Sequence, residues 1–200
     1  MPPILTAVHR GILGGTFDPP HLAHLVAGNV ALHQLGLDVV SVVPAGAPWQ
    51  KANRLVSAAE HRWQMVRLAC EGVDGFEPDD REVRRDGWTY TIDTLEALPA
   101  EDRLVLILGA DAARNLPSWQ RAADVIDRAY IAVLPRPGMD PAEVESAIPG
   151  VIWLDAPALD ISGTDLRHRV AAGSSIRFLV PDSVFEYIEL HHLYRPNDDT

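Results

Sequence analysis

Two histidines three residues apart, His21 and His24, close a stretch that begins with a glycine pair and a threonine: Gly14 to Leu25, GGTFDPPHLAHL. Gly14 and Gly15 permit a tight turn and close backbone approach, and Pro19 and Pro20 stiffen the chain where it must enter a helix. In a helix both imidazoles fall on one face near the first turn. Backbone N–H groups at such a terminus lack partners and point outward, which favours an anion. With the hydroxyl of Thr16 beside them, these residues read as a phosphate site. A histidine pair at this spacing could also bind a metal, but no Asp or Glu completes a local ligand pattern, so no protein-held metal is expected.

A second stretch asks for the same chemistry. In Ile161 to Arg167, ISGTDLR, Ser162 can cap a helix whose third residue is Asp165, and Thr164 adds a hydroxyl close to the start. Arg167 falls on the next turn, where a guanidinium can make paired hydrogen bonds to phosphate oxygens. Capping alone accounts for Ser162, but not for two anion-ready helix starts. Lys51, in the loop PAGAPWQK, is the only lysine of the chain, so its place in a loop after a strand is informative. Cys70 falls among the apolar positions of a helix and reads as a small core residue rather than a nucleophile.

These residues need a scaffold that converges them. Val8–Leu13, Val39–Val43, Arg103–Leu108, Tyr130–Leu134 and Val151–Leu154 read as strands. Helices are expected over Leu22–Leu35, Ser57 to about Glu71, from the DGWTYTIDTL segment, after GAD, over Pro141–Ile148, after Ser162, and over Pro181–Leu193. Leu22, Leu25, Val26, Val30 and Leu32 form the expected buried stripe of the first helix. Ser57 with Glu60 is expected to form a capping box for the second. Phe76–Arg84 reads as an acidic extended segment. Buried-looking strands alternating with helices indicate a doubly wound, mostly parallel α/β sheet, in which ligands bind outside the C-terminal strand ends. The unusual loops GGTFDPPH, PAGAPWQK, GADAARNLPSW and DISGTDLR all follow strands, and the two anion-ready starts are expected to open into one cleft.

Composition bounds the partners. The chain has 200 residues, 47% of them apolar, which suits one domain over 1–200 with a sizeable core. Its formal charge of −11, from 17 basic and 28 acidic residues, disfavours a nucleic-acid partner but leaves room for a small phosphorylated substrate. No apolar run suggests a membrane span and Met1–Leu5 is no secretory signal. With one cysteine and hence no internal disulfide, a cytoplasmic setting is expected. A homo-oligomer is compatible with everything in the sequence, and nothing in it sets the oligomeric state.

GGTFDPPHLAHL resembles the GxFxPxHxGH signature of the nucleotidyltransferase superfamily, and ISGTDLR resembles its ISxTxxR signature. With PAGAPWQK, DGWTYTIDTL, LILGADAARNLPSW and FLVPDSVFEYI, nearly the whole chain resembles the bacterial nicotinate-nucleotide adenylyltransferase family, especially its actinobacterial forms. The resemblance implies a Rossmann-like nucleotidyltransferase domain with a helical C-terminal segment over 161–195. It implies adenylyl transfer from ATP to nicotinic acid mononucleotide, giving deamido-NAD and pyrophosphate, with Mg²⁺ held chiefly by the nucleotide phosphates. It assigns His21, His24, Lys51 and Arg167 to the reacting phosphates, with Gly14, Gly15, Thr16, Phe17, Gly109, Asp111, Ile161, Ser162 and Thr164 around ATP. Asp111 becomes a ribose-hydroxyl acceptor. Thr91 is expected at the nicotinate carboxylate, Trp119 stacked on the pyridine ring, and Asn115 at the pocket's second wall.

The chain departs from the family pattern at several places. Ala23 replaces a glycine, PWQK replaces the PPHK ending, Trp88 stands where many relatives have proline, Asn115 is aromatic in some relatives, and Gly163 makes ISGTDLR looser than ISST. Nicotinamide mononucleotide or phosphopantetheine as acceptor, and a nucleotide-binding module without turnover, are the rival readings. A dinucleotide-dependent oxidoreductase is weaker, because the first turn lacks GxGxxG.

Overall fold

The computed structural model describes residues 7–47, 56–136 and 138–196. Six strands form one sheet: β1 (His9–Gly15), β2 (Val39–Pro44), β3 (Phe76–Pro78), β4 (Arg103–Gly109), β5 (Ala129–Leu134) and β6 (Ile152–Trp153). All pair in parallel, in the order β3-β2-β1-β4-β5-β6. Among the described residues the α-helices are α1 (Leu22–Gln34), α2 (Ala59–Cys70), α3 (Thr91–Glu96), α4 (Ala110–Asn115), α5 (Ala122–Arg128), α6 (Pro141–Ala147), α7 (Gly163–Ala171) and α8 (Asp182–Leu190).

Alternation along the strands explains the two covered faces. Ile12, Val43, Leu106 and Leu108 point to the cluster made with α3, α4, α5 and α6, whereas Leu13, Val42, Val105 and Ile107 point to the cluster with α1 and α2. The doubly wound parallel architecture therefore follows from runs of apolar residues buried on both sides. A third cluster joins Met65 and Ala69 of α2 to Leu166 and Val170 of α7 and Val184 and Ile188 of α8. It seats the C-terminal helices beside the strand ends. No helix among the described residues is long and apolar enough to cross a membrane.

Several local expectations need correction. Of the stripe proposed for α1 only Leu32 is fully buried; Ala27, Gly28 and Ala31 face the sheet, and the larger side chains lie at its margins. Close approach is the reason, since a Cβ on Gly28 would lie 2.6 Å from the Phe76 ring. The capping box at Ser57 does not form: Ala58 is the N-cap of α2 and receives no side-chain bond. Ser57 is used elsewhere, its N–H donating to Asp18 Oδ2 at 3.2 Å. Only Phe76–Pro78 of the acidic segment is strand; the chain then turns, with Arg84 N–H donating to Asp80 O at 3.0 Å. Helix α5 escapes a periodicity reading because Val125 is its single fully buried residue.

Candidate active site

Strand order reverses direction at β1, which has β2 on one side and β4 on the other. That switch point opens a crevice at the carboxyl ends of the strands. A cleft of about 340 Å³ occupies it, floored by Ile12, Val43, Leu106 and Leu108 and rimmed by Gly14, Gly15, Thr16, His24 and Ala45. Its other wall is Glu82, Thr89, Tyr90, Thr91, Thr94, Ala112, Trp119 and Gln120. Gly14, Gly15, Thr16 and His24 are thus brought together with Thr91 and Trp119 in one cavity.

His21 and His24 divide their work. His21 is the N-cap of α1, with extended backbone, rather than a residue of its first turn. It is buried, and burial pushes its pKa down to about 4, so it is a neutral ring at pH 7. It stacks on His24 with ring centroids 3.7 Å apart, and Phe17 meets the His24 ring edge-on at 4.8 Å. The His21 backbone N–H donates to His24 Nδ1 at 3.2 Å. A neutral His24 must then carry its proton on Nε2, where it is a donor. Phe17, expected around ATP, has its side chain in the core and acts on the site by holding His24.

The second anion-ready start reaches the first loop by a different route. Ser162 caps α7, its Oγ accepting from Asp165 N–H at 3.2 Å, while Ile161 packs against the third cluster. Arg167 donates to the Asp18 carbonyl at 2.7 Å and to Thr164 Oγ1 at 3.3 Å. Arg167 and Thr164 line a neighbouring depression of about 680 Å³ with Asp18, Ser57 and Tyr194, not the cleft of His24. The expectation that both starts open into a single cleft is corrected accordingly: they adjoin through Asp18.

Gly163 also reads differently in three dimensions. A Cβ there would lie 2.9 Å from the Asp18 carbonyl oxygen, a backbone atom with little freedom to give way. The glycine is a close-approach residue, not a looser helix start. Gly163→Ala is therefore expected to lower stability by about 1 to 3 kcal/mol, as overpacking does. Thermal or urea unfolding checks this, and an unchanged or raised midpoint would refute the contact.

Other expected residues lie off the cleft. Asp111 pairs with Arg136 and, at 3.8 Å, with Arg114, and Gly109 is the exposed N-cap of α4. Asn115 is exposed and lines no cavity wall of this site, whereas Tyr90 does line it. Lys51, and with it the PWQK ending, lies outside the described residues. Cys70 is buried, and burial pushes its thiol up to about 12, which removes it as a nucleophile.

Asp18 and Glu82 were missed from sequence. Asp18 is buried and joins three segments: its Oδ1 accepts from Tyr194 OH at 2.8 Å, its Oδ2 from Ser57 N–H, and its carbonyl from Arg167. Glu82 is buried at the cleft wall, where Thr94 Oγ1 donates to it at 2.6 Å; burial nonetheless holds its carboxyl above the usual range. Asp18 had no signal beyond its place in GGTFDPPH, and Glu82 none beyond its place in the acidic segment. Among the described residues, no group of three or more His, Cys, Asp or Glu is placed to hold a metal ion.

Comparisons with known proteins bear on the family and the fold. The cytidylyltransferase-like family profile matches residues 12–169. A protein of Roseiflexus sp. (strain RS-1) named "probable nicotinate-nucleotide adenylyltransferase" is 44% identical over 193 residues, covering 92% of this chain and 97% of that relative. One of the same name from Desulfitobacterium hafniense (strain Y51) is 40% identical over 196 residues, covering 92% and 95%. The solved Plasmodium falciparum nicotinic acid mononucleotide adenylyltransferase complexed with NaAD superposes with a TM-score of 0.80, covering 94% of this chain and 97% of that one; at 18% identity this likeness bears on the fold. Fold and site together define a cytidylyltransferase-like nucleotidyltransferase. Within that class the chain belongs to the nicotinate-nucleotide adenylyltransferase family.

Proposed function

We propose that the chain transfers the adenylyl group of ATP to nicotinic acid mononucleotide. A phosphate oxygen of the mononucleotide attacks the α-phosphorus, the bond to the β-phosphate oxygen breaks, and pyrophosphate leaves with deamido-NAD as the other product. The attacking phosphate is already anionic near neutral pH, so the reaction needs alignment and charge stabilisation more than a general base. The single observation that supports this most is the continuity of the cleft. The phosphate loop with Thr16 and His24 shares one cavity with Thr91 and Trp119, which spans from the reacting phosphates to a flat aromatic wall.

In this reading His24 Nε2–H and the Thr16 hydroxyl donate to the ATP phosphates, while neutral His21 fixes the His24 ring. Arg167 contributes charge from the adjoining depression, and Lys51 is assigned to the phosphates by its motif. Trp119 offers a face to the pyridine ring and packs its other side on the core. The Thr91 hydroxyl, on the same wall of the cleft, can meet a nicotinate carboxylate. Mg²⁺ would be held by the hard oxygens of the triphosphate rather than by this chain's side chains, and would supply neutralisation of phosphate charge.

Product analysis with ATP, Mg²⁺ and either pyridine mononucleotide tests the proposal. The acid is expected to exceed the amide in kcat/KM by about tenfold or more, the worth of a charge-assisted hydrogen bond. Equal values would overturn the acidic preference. ATP binding without pyrophosphate release, whatever the acceptor, would overturn the enzymatic reading.

A further inference from the structure

Arg62, in the first turn of α2, is 1% exposed, yet no carboxylate lies within ion-pair distance of it among the described residues. Its guanidinium is spent on backbone. Nε donates to Ser57 O at 3.0 Å, Nη1 to Thr16 O at 3.0 Å and to Ala45 O, and Nη2 to Gly46 O at 2.7 Å. The acceptors sit after β1, after β2 and just before α2, so one side chain ties together segments that sequence separates widely. Two of them, Thr16 and Ala45, belong to residues that rim the cleft.

A trans peptide is planar, so a carbonyl and the N–H that follows it point in opposite directions. Holding the carbonyls of Thr16, Ala45 and Gly46 toward the interior aims the N–H groups of Phe17, Gly46 and Ala47 the other way. Phe17 has φ of 50°, in the left-handed region that a bulky residue adopts only when its surroundings over-determine it. The bond from Arg62 to the preceding carbonyl is one such constraint.

We propose that Arg62 is a positioning residue for the nucleotide phosphates: without touching substrate, its planar fork sets the peptide orientations of the β1–α1 and β2–α2 connections at the cleft rim. This rests on the reading of Thr16 and His24 as the phosphate side. A lysine cannot reproduce the function, because an ammonium offers three donors from one point where the guanidinium offers five in a fixed plane. The same network explains how buried loop carbonyls at these strand ends are satisfied.

Arg62→Lys and Arg62→Met are compared with the unaltered protein by thermal unfolding, by calorimetric ATP binding without acceptor, and by steady-state kinetics well below each midpoint. Folded Arg62→Lys is expected to raise both the Kd and the KM for ATP by about tenfold or more, with a smaller change in the KM of the mononucleotide, as a displacement of the phosphate loop requires. Restoration of ATP affinity in Arg62→Ala by added guanidinium would support the same assignment. A folded Arg62→Lys with unaltered ATP Kd and KM, and only a lowered melting temperature, overturns it; Arg62→Lys decides alone where Arg62→Met does not fold. Absence of pyrophosphate release by the unaltered protein would instead count against the functional reading, and the ATP affinities would still report on Arg62.

Discussion

His24→Ala is expected to lower kcat for adenylyl transfer by about 10²- to 10³-fold, equivalent to about 2.7 to 4 kcal/mol of transition-state stabilisation, taking the loss of an oxyanion donor as the analogue. The geometry sets this size. The ring is held between the stacked His21 and the edge of Phe17, and its Nδ1 accepts the His21 backbone N–H. Its remaining nitrogen is therefore a preoriented donor that loses little freedom when charge develops on the phosphate. Truncation removes the donor but leaves the acceptor wall of Thr91 and Trp119 intact, so the KM for the mononucleotide should change far less than kcat. Initial rates of pyrophosphate release at saturating and at limiting ATP measure both. Wild-type kinetics in folded His24→Ala would remove the residue from the reaction.

The second large effect concerns His21 and acid. Burial lowers its pKa from 6.5 to about 4, so the native state declines a proton that the unfolded chain accepts. Above pH 6.5 neither state is protonated and this group makes no difference. As pH falls from 6.5 toward 4 the unfolded state binds more protons and stability falls, by about 3 kcal/mol in all from this group. Below about 4 the native ring also protonates and the loss levels off. His21→Asn, which keeps a polar N-cap, should flatten this limb relative to the unaltered chain. Urea unfolding at several pH values between 4 and 7.5 reads the difference directly. Parallel stability curves for the two proteins over that range would show that His21 is not a neutral buried ring. In the proposed reaction the same neutrality means that His21 brings no full positive charge to the phosphates.

Phe17, Asp18 and Arg62 illustrate how a motif can be recognised while its mechanics stay hidden. GGTFDPPH reads as a phosphate loop through residue types alone, whereas in the structure the ring of Phe17 turns inward to brace His24, and Asp18 is the joint to which Ser57, Arg167 and Tyr194 attach. Arg62 lies in α2 and belongs to none of the motifs. Its burial comes from four carbonyls contributed by residues 5 to 46 positions away, which no local pattern encodes.

The sequence by itself determined the strand and helix alternation, the parallel sheet and the glycine-rich turn that follows the first strand. Each of these depends on local periodicity, turn chemistry or a contiguous motif, as the fully buried run of β2 and the Ser162 cap illustrate. Only tertiary structure decided which face of α1 is buried, that Arg167 meets the first loop through the Asp18 carbonyl from an adjoining depression, and that Asp111 is held by Arg136. The physical reason is that these outcomes depend on how closely backbones approach and on which distant acceptors a buried donor finds, as at Gly28, Gly163 and Arg62.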